Sequence, residues 1–253
     1  MTPCRAGAYY GYQFPELSEA SGFSHVFAAR SPSDLGNLAF SGERDRDAAQ
    51  TVRQAWSAFL GVSPNDWVVG GQVHTSNVVF VDDSHRGRGA LTPETVIPQC
   101  DGLITTTPGL PLYVAVADCS AVLLHAPGVI GVIHGGWRGL AAGILDAAVE
   151  QFLGLGVEPI DIRAGVAPCI AGASYEVGPE VGEACPDGAR YRGEGDRWQV
   201  DIALWAQHCL LQNGVEPASI YLSGIDTGSD HSCFSHRRQG LSAGRNGLIA
   251  VLA

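Results

Sequence analysis

Residues 112–139 read LYVAVADCSAVLLHAPGVIGVIHGGWRG, and this stretch decides the fold. Residues 112–117, 121–124 and 129–133 are apolar runs of strand length, and the first and last are apolar on both faces. Strands of that kind are buried on both sides, as in layered sheets covered by helices. The short connection at 125–128 contains Pro-Gly and favours an antiparallel pair around it. We therefore predict a layered α/β (α+β) sandwich with mixed sheets.

The rest of the chain continues this alternation of strands and helices. Apolar runs predict further strands at 67–69, 78–81, 162–166, 220–222 and 248–252, and helical periodicity predicts helices at 48–60, 140–153 and 202–212. The last helix follows Asp201, a good N-cap, and precedes Asn213-Gly214, a strong stop signal. No repeat or long linker interrupts the pattern, so we predict one domain over residues 1–253.

The charge distribution narrows the range of ligands. The chain carries 15 basic and 26 acidic residues, a formal net charge of −11, and every basic residue is arginine. Without a basic stripe, binding to nucleic acid or to an anionic membrane surface is disfavoured. Without lysine, a Walker phosphate loop and Schiff-base chemistry are excluded. Phosphate recognition must then use arginine or backbone amides.

The cysteine pattern is typical of a reducing compartment. Seven cysteines, an odd number without CxxC spacing, are expected to be free thiols. We find no signal-peptide pattern and no membrane-spanning stretch, so we expect a cytoplasmic protein. The sequence leaves the oligomeric state open.

Three segments each place one potential metal ligand at the end of an apolar run. The ligands are His74, Cys119 and His134. Two imidazoles and one thiolate leave a fourth position open on zinc, which is the arrangement of a catalytic site, because structural sites usually close with four protein ligands. We therefore predict one zinc ion held by these three residues.

Two polar residues close to these ligands have alternative roles. Asp118 stands alone in an apolar stretch, and a carboxylate there needs a partner. It is either a structural group, as an N-cap or in a salt bridge to Arg138, or an acceptor that holds a metal-binding imidazole. Gln72 alternates with His74 on one predicted strand face, so its amide is expected to face the same pocket.

Small and basic residues indicate where an anionic group binds. Gly135 and Gly136 follow His134 directly, and their amides can form an anion or oxyanion site at the helix that starts there. Near the C-terminus the chain has a cluster of basic residues, and in so acidic a chain we expect this cluster to face an anionic substrate. Its arginines are Arg237, Arg238 and Arg245, which together with Arg138 are the candidate substrate-binding residues, and His236 beside them is a candidate catalytic residue.

At this level the chain resembles the YfiH-like proteins, also called the laccase-domain or polyphenol oxidoreductase family. Matching segments run in the family's order from about Phe27 to the C-terminus: 72–74, 100–105, 117–119, 134–139, 167–170 with 175–178, and 234–238 with 244–245. The segment at 30–34 departs from the family's usual loop, and His236 stands where a tyrosine is common.

The resemblance implies one α/β/β/α sandwich domain with zinc on His74, Cys119 and His134. The same fold is related to the cytotoxic necrotizing factors, which are Cys–His hydrolases. It also implies phosphorolysis of adenosine, inosine and methylthioadenosine, and deamination of adenosine. In some bacteria the family is linked to the editing of peptidoglycan precursors.

We carry three functional hypotheses forward. The first is a zinc-dependent purine nucleoside enzyme, in which the open metal position activates water for attack on adenine C6, arginines hold phosphate, and His236 carries a proton. The second is a metal-free amidase or hydrolase acting on a peptidoglycan precursor, with Cys119 as nucleophile, His134 as base and the Gly135 and Gly136 amides as oxyanion donors. The third is a non-catalytic binding domain. Multicopper laccase chemistry, and with it copper as the cofactor, is disfavoured because the chain has no His-x-His pair.

Overall fold

The computed structural model describes residues 1–18, 22–40 and 45–253. Its strands are β1 (Thr2–Ala6), β2 (Tyr9–Gln13), β3 (Phe23–Ala28), β4 (Val68–Val69), β5 (Val78–Phe80), β6 (Gly102–Thr105), β7 (Leu112–Val116), β8 (Ser120–Ala126), β9 (Val129–Gly135), β10 (Arg163–Val166), β11 (Glu176–Val177), β12 (Arg190–Arg192), β13 (Trp198–Val200), β14 (Ile220–Leu222) and β15 (Asn246–Leu252). Its α-helices are α1 (Pro15–Ser18), α2 (Arg46–Leu60), α3 (Trp137–Ala141), α4 (Ile144–Gly154), α5 (Pro179–Gly182), α6 (Ile202–Gln212) and α7 (His236–Gln239).

The strands form two six-stranded sheets and one small sheet. Sheet 1 has the order β1-β2-β3-β15-β7-β4, and sheet 2 has the order β14-β10-β8-β9-β6-β5. Most neighbours are antiparallel, whereas β4 with β7, β5 with β6 and β10 with β14 are parallel. The small sheet, β11-β13-β12, is antiparallel. The prediction of mixed sheets is confirmed.

The hairpin predicted from residues 112–139 is the centre of sheet 2. β8 and β9 pair in antiparallel register from Ser120 opposite Gly135 to Ala126 opposite Val129, with Pro127-Gly128 as the turn. Both strands are buried along their whole length. Residues that are apolar on both faces thus lie between two other layers, as the sequence predicted.

Three apolar clusters define the layers. One cluster lies between the two sheets and contains Leu112, Val114, Leu123 and Val132. A second lies between sheet 1 and α2 and includes Trp56, and a third covers the other face of sheet 2 with α4 and α6. The order helix, sheet, sheet, helix is the α/β/β/α sandwich that we expected.

Two features of the elements differ from the sequence prediction. The helix predicted at 140–153 is two helices, α3 and α4, because Gly143 adopts a left-handed conformation (φ 81°) between them. Glycine adopts that conformation without the strain of a Cβ. The N-terminal strands β1 to β3, the strand β6 and the small sheet were not predicted, whereas α6 begins and ends as predicted.

Asp201 caps α6, its side chain accepting a hydrogen bond from the Leu204 amide at 3.0 Å. Within the residues that the structure describes, no helix is long and apolar enough to cross a membrane.

Candidate metal centre and cavity

The three predicted ligands meet where the chain crosses from sheet 1 to sheet 2. Cys119 lies between β7 and β8, directly after Asp118, whose positive φ of 88° turns the chain. His134 lies near the end of β9, opposite Ala121 on the neighbouring strand. His74 comes from the loop between β4 and β5 and also has a positive φ, 65°.

The donor atoms of this cluster are close enough to share one metal ion. All three lie within 4.8 Å of one another, and the distance from Cys119 Sγ to His74 Nε2 is 3.8 Å. Ligands of a tetrahedral zinc are about 3.5 Å apart for ordinary Zn–N and Zn–S bonds, so the cluster needs little rearrangement to hold the ion. Within the described residues this is the one group of candidate ligands that meets, and it supplies three donors rather than four.

Gly136 gives this cluster its space. A Cβ built on Gly136 would lie 2.6 Å from His74 Cδ2 and 3.1 Å from Cys119 Sγ. Any larger residue would therefore displace two of the three ligands. The sequence analysis assigned the Gly135 and Gly136 amides to an anion site, but both residues are buried and neither lines the cavity described below. Their small size serves the close approach of the ligands.

Asp101 positions both histidines, and the sequence analysis missed this role. Its carboxylate is fully buried and accepts a hydrogen bond from His134 Nδ1 at 2.8 Å, which leaves Nε2 of that ring for the cluster. The same carboxylate accepts the amides of Val73, His74 and Thr75 at 2.8–3.2 Å and the Thr75 hydroxyl at 2.8 Å. Burial alone would raise the pKa of Asp101, but these hydrogen bonds outweigh burial and hold it well below its usual range.

The charges of the cluster are set by the neighbouring groups. Burial would raise the pKa of the Cys119 thiol, but the imidazoles of His134 and His74 lower it to about 6. Burial would lower the pKa of His134, but the Cys119 thiolate and Asp101 raise it to about 9. Cys119 is therefore the group that becomes anionic, in the form that binds a metal or attacks a carbonyl.

Of the two roles considered for Asp118, its contacts favour the structural one over the holding of an imidazole. Its Oδ1 accepts the Thr227 hydroxyl at 2.6 Å, and its Oδ2 accepts the backbone amide of Arg237 at 2.7 Å. The salt bridge to Arg138 is also absent from the described residues. Asp118 instead anchors the N-terminal turn of α7 beside the metal cluster, which is close to the capping alternative.

A cavity of about 830 Å³ opens beside the cluster, with all three ligands and Asp118 in its wall. Two half-buried aromatic side chains in the wall each lie under an arginine. Arg138 lies 4.3 Å from the Trp137 ring, and Arg237 lies 5.0 Å from the Tyr175 ring. Sequence reasoning did not single out these aromatics, although Trp137 belongs to the quoted stretch.

Three of four other predicted site residues line the cavity. His236 and Arg245 line the cavity. Gln72 also lines it but does not lie on a strand, and its amide pairs in both directions with the Ala115 backbone, at 2.7 and 2.8 Å. Arg238 does not line the cavity.

Arg238 makes its contacts within the protein, so its role in substrate binding stays a prediction. Its guanidinium donates to the carbonyls of Thr227, Asp230 and Cys233, at 2.9, 3.2 and 2.6 Å. These hydrogen bonds stabilise the loop before α7.

Comparison with known proteins gives relatives over nearly the whole chain. A purine nucleoside phosphorylase of Bacteroides thetaiotaomicron is 31% identical over 256 residues, covering 93% of each chain. One from Deinococcus radiodurans is 34% identical over 205 residues, covering 76% of this chain and 73% of the relative.

Among solved structures, YlmD from Geobacillus stearothermophilus superposes with a TM-score of 0.91 at 26% identity, covering 98% of this chain and 97% of that one. The Bacillus licheniformis protein YfiH has the same fold, with a TM-score of 0.89 at 24% identity over 97% of each chain. Residues 22–253 match the family model of the multi-copper polyphenol oxidoreductase laccases. The chain therefore belongs to that family.

Proposed function

We propose that this protein is a metal-dependent purine nucleoside enzyme that phosphorolyses adenosine, inosine and methylthioadenosine and deaminates adenosine. The observation that carries the proposal is the three-ligand cluster in the wall of an 830 Å³ cavity, a volume within the range of small-molecule sites. Relatives named purine nucleoside phosphorylase, at 31% and 34% identity, support the same substrate class.

Zinc is the metal that we propose for the cluster. The donor set, two imidazoles and a thiolate, suits zinc, and three protein ligands leave one position open. When bound, zinc supplies a Lewis acid at that position. The family's descriptive name implies copper, but multicopper oxidases need further clustered ligands, and the described residues bring together this one group.

The residues around the cluster are suited to hold a purine nucleoside. The Trp137 and Tyr175 rings offer apolar faces on which a purine can stack, and Arg138 and Arg237 hold those rings in place. In phosphorolysis a phosphate oxygen attacks C1′ while the bond from C1′ to the purine nitrogen breaks. Arg138, Arg237 and Arg245 supply positive charge for the phosphate, and His236 protonates the departing purine.

The location and partners follow from the same reasoning. We infer that the protein acts in the cytoplasm, because its seven cysteines are free thiols, and that its ligands are small molecules, because its relatives are named nucleoside phosphorylases.

A metal analysis followed by a nucleoside panel tests this proposal. Purified protein is expected to carry about one zinc per chain, to release free base from inosine only with phosphate, and to convert adenosine to inosine without it. Cys119→Ala and His74→Ala are expected to lose most of the zinc and both activities. Full zinc content in both variants, or no turnover of any nucleoside by the zinc-loaded protein, contradicts the proposal.

A metal-free Cys–His hydrolase is the second candidate, and one observation favours it. Cys119, His134 and Asp101 form a thiol, imidazole and carboxylate series, with the carboxylate on His134 Nδ1 and Nε2 left for the thiol. The two candidates respond differently to reagents. Chelation abolishes activity in the zinc enzyme, where the bound thiolate resists alkylation. Activity that survives chelation but is lost on alkylation of Cys119 identifies the hydrolase.

A further inference from the structure

Away from the metal ligands, the cavity wall contains a buried arginine that the proposed chemistry does not use. Arg53 extends from α2 and is 3% exposed, yet it lines the cavity. Its guanidinium carbon lies 3.9 Å from the Phe40 ring centroid and 5.2 Å from that of Tyr113.

The hydrogen bonds of Arg53 leave part of its guanidinium free. Nε donates to the Leu38 carbonyl at 2.9 Å, and Nη1 donates to the carbonyls of Gly89 and Ala90 at 3.1 and 2.8 Å. These bonds use three of five N–H groups, and within the described part of the chain Nη2 donates none. The three partners are neutral, so the charge of this buried cation is not balanced by a carboxylate among the described residues.

Tyr113 provides a second group without a partner. Its hydroxyl is buried, the residue is 1% exposed, and the oxygen makes no hydrogen bond among the described residues. Tyr113 also lines the cavity. Buried hydroxyls are normally hydrogen-bonded, so an unpaired one in a cavity wall indicates a place for a ligand atom.

Arg245 adds further positive charge to this wall. Tyr113 and Arg245 both line the cavity, and Arg245 precedes β15, the strand that pairs with β7. Burial raises the pKa of Tyr113 to about 12, while the charges of Arg53 and Arg245 and a contact of the hydroxyl with the Arg53 guanidinium act to lower it, so both guanidinium groups lie near the hydroxyl. Among the lining residues that the structure describes, a group entering here thus meets hydroxyl and guanidinium donors, and Asp118 is the one acidic side chain, with its oxygens already bonded.

We propose that Arg53, Tyr113 and Arg245 form a subsite for a phosphate group in the cavity wall. A phosphate oxygen accepts from the Tyr113 hydroxyl, and others accept from Nη2 of Arg53 and from Arg245. The group is either inorganic phosphate, the co-substrate of phosphorolysis, or the phosphate of a purine nucleotide. The choice of these two ligands rests on the proposed function, whereas the subsite itself rests on the buried Tyr113 hydroxyl and on Nη2 of Arg53.

Tyr113→Phe is the informative variant. It removes a hydroxyl that lies beside the Arg53 guanidinium and makes no hydrogen bond of ordinary geometry among the described residues, so the protein is expected to keep its melting temperature and its zinc content. Titration calorimetry with inorganic phosphate and, separately, with adenosine monophosphate measures the subsite directly. Loss of a hydrogen bond to a charged ligand is expected to weaken binding about tenfold. Tyr191→Phe, at an exposed tyrosine outside the cavity lining, is the matched control.

The outcomes distinguish inorganic phosphate from a nucleotide phosphate as the ligand, and they distinguish failure of the subsite from failure of the proposed function. Weaker binding of inorganic phosphate in Tyr113→Phe assigns the subsite to the co-substrate, and weaker binding of the nucleotide alone assigns it to a nucleotide phosphate. If the protein cleaves no nucleoside but binds phosphate through Tyr113, the subsite stands and the proposed function fails. If phosphorolysis proceeds with an unchanged KM for phosphate in Tyr113→Phe and neither ligand binds more weakly, the function stands and the subsite is overturned.

Discussion

At the scale of single residues, one carboxylate organises the metal cluster. Asp101 binds the Nδ1 of His134 and also the three consecutive amides that carry His74. The two imidazoles come from segments 60 residues apart in sequence, and the same carboxylate fixes both. A hydrogen bond of this kind fixes the tautomer and the orientation of a metal-binding ring.

Asp101→Asn is expected to weaken zinc affinity about 10- to 100-fold, because the amide removes the charge that orients His134. Competition with a chromophoric chelator measures the affinity. Asp118→Asn is the matched control: Asp118 lies beside Cys119 but contacts Thr227 and the Arg237 backbone, so the variant is expected to keep its zinc affinity. Equal losses of affinity in the two variants would refute the role of Asp101.

The ligands could be predicted from the sequence, but the carboxylate that positions them could not. His74, Cys119 and His134 each follow an apolar run, and that local pattern identifies them. Asp118 shows a similar local pattern, a lone charge beside a strand, and it was therefore considered as the acceptor for a metal-binding imidazole. The structure gives that contact to Asp101. Which of two such carboxylates meets an imidazole depends on how β6 and β9 pair, with Gly102 opposite Ile133, and this is not encoded in either segment alone.

At the scale of elements, β3 and β8 bring two neutral histidines into the fold. His25 is 1% exposed, and its Nε2 accepts the Phe14 amide at 2.9 Å. The Phe23 ring stacks on His25 at 5.5 Å and on His125 at 4.1 Å. Burial, followed by the charge of His125, lowers the pKa of His25 to about 4. Burial, followed by Arg163, lowers the pKa of His125 to about 4.

These two histidines are expected to destabilise the fold in mild acid. An unfolded histidine titrates near its model value of 6.5, so below that pH the unfolded state binds more protons than the native state. Their contribution to stability is complete above pH 6.5 and is lost as the pH falls toward 4. His25 alone is expected to cost about 2 kcal/mol of unfolding free energy between pH 7 and pH 5.

Urea unfolding at the two pH values measures this loss, and His25→Gln, which removes the titrating group, is expected to reduce it. An identical pH dependence in wild type and variant would contradict the assignment.

The ends of helices and strands could be predicted where capping or turn residues mark them in the sequence. Asp201 and Asn213-Gly214 mark the ends of α6, and Pro127-Gly128 marks the β8–β9 turn. The N-terminal strands have no such marker residues in the sequence. Strand β2 reads YYGYQ, and its Gly11 packs against Trp56 of α2, where a Cβ would lie 2.7 Å from the indole ring. Its place in sheet 1 depends on packing against a distant helix, which a strand pattern does not reveal.

At the scale of the whole molecule, the sandwich places the candidate metal centre where its two large sheets are joined. β7 belongs to sheet 1 and β8 to sheet 2, and Cys119 lies in the crossing between them. The cavity thus has the metal ligands in one part of its wall and the outer side chains of β7 with Arg53 and Arg245 in another. The apolar pattern predicted the layers, but the shared cavity arises only from their packing.

This separation within one cavity leads to a prediction about two activities. Phosphorolysis consumes phosphate, whereas deamination consumes water, so a residue that binds phosphate affects the first far more than the second. Arg245→Ala is expected to lower phosphate-dependent release of adenine and hypoxanthine about tenfold or more, because a charge-assisted contact contributes about 1.5–3 kcal/mol. Conversion of adenosine to inosine is expected to change much less.

Product chromatography over a phosphate titration, read together with zinc content, measures both activities in one reaction. Arg5→Ala, at an exposed arginine stacked on Tyr10 outside the cavity lining, controls for a general loss of positive charge. If Arg245 binds phosphate, higher phosphate concentration restores part of the lost phosphorolysis, because the defect lies in the KM for phosphate. Equal losses of both activities at saturating phosphate, with zinc retained, would instead assign Arg245 to the nucleoside pocket or to the fold, since its guanidinium also donates to the carbonyls of Ala243 and Gly244.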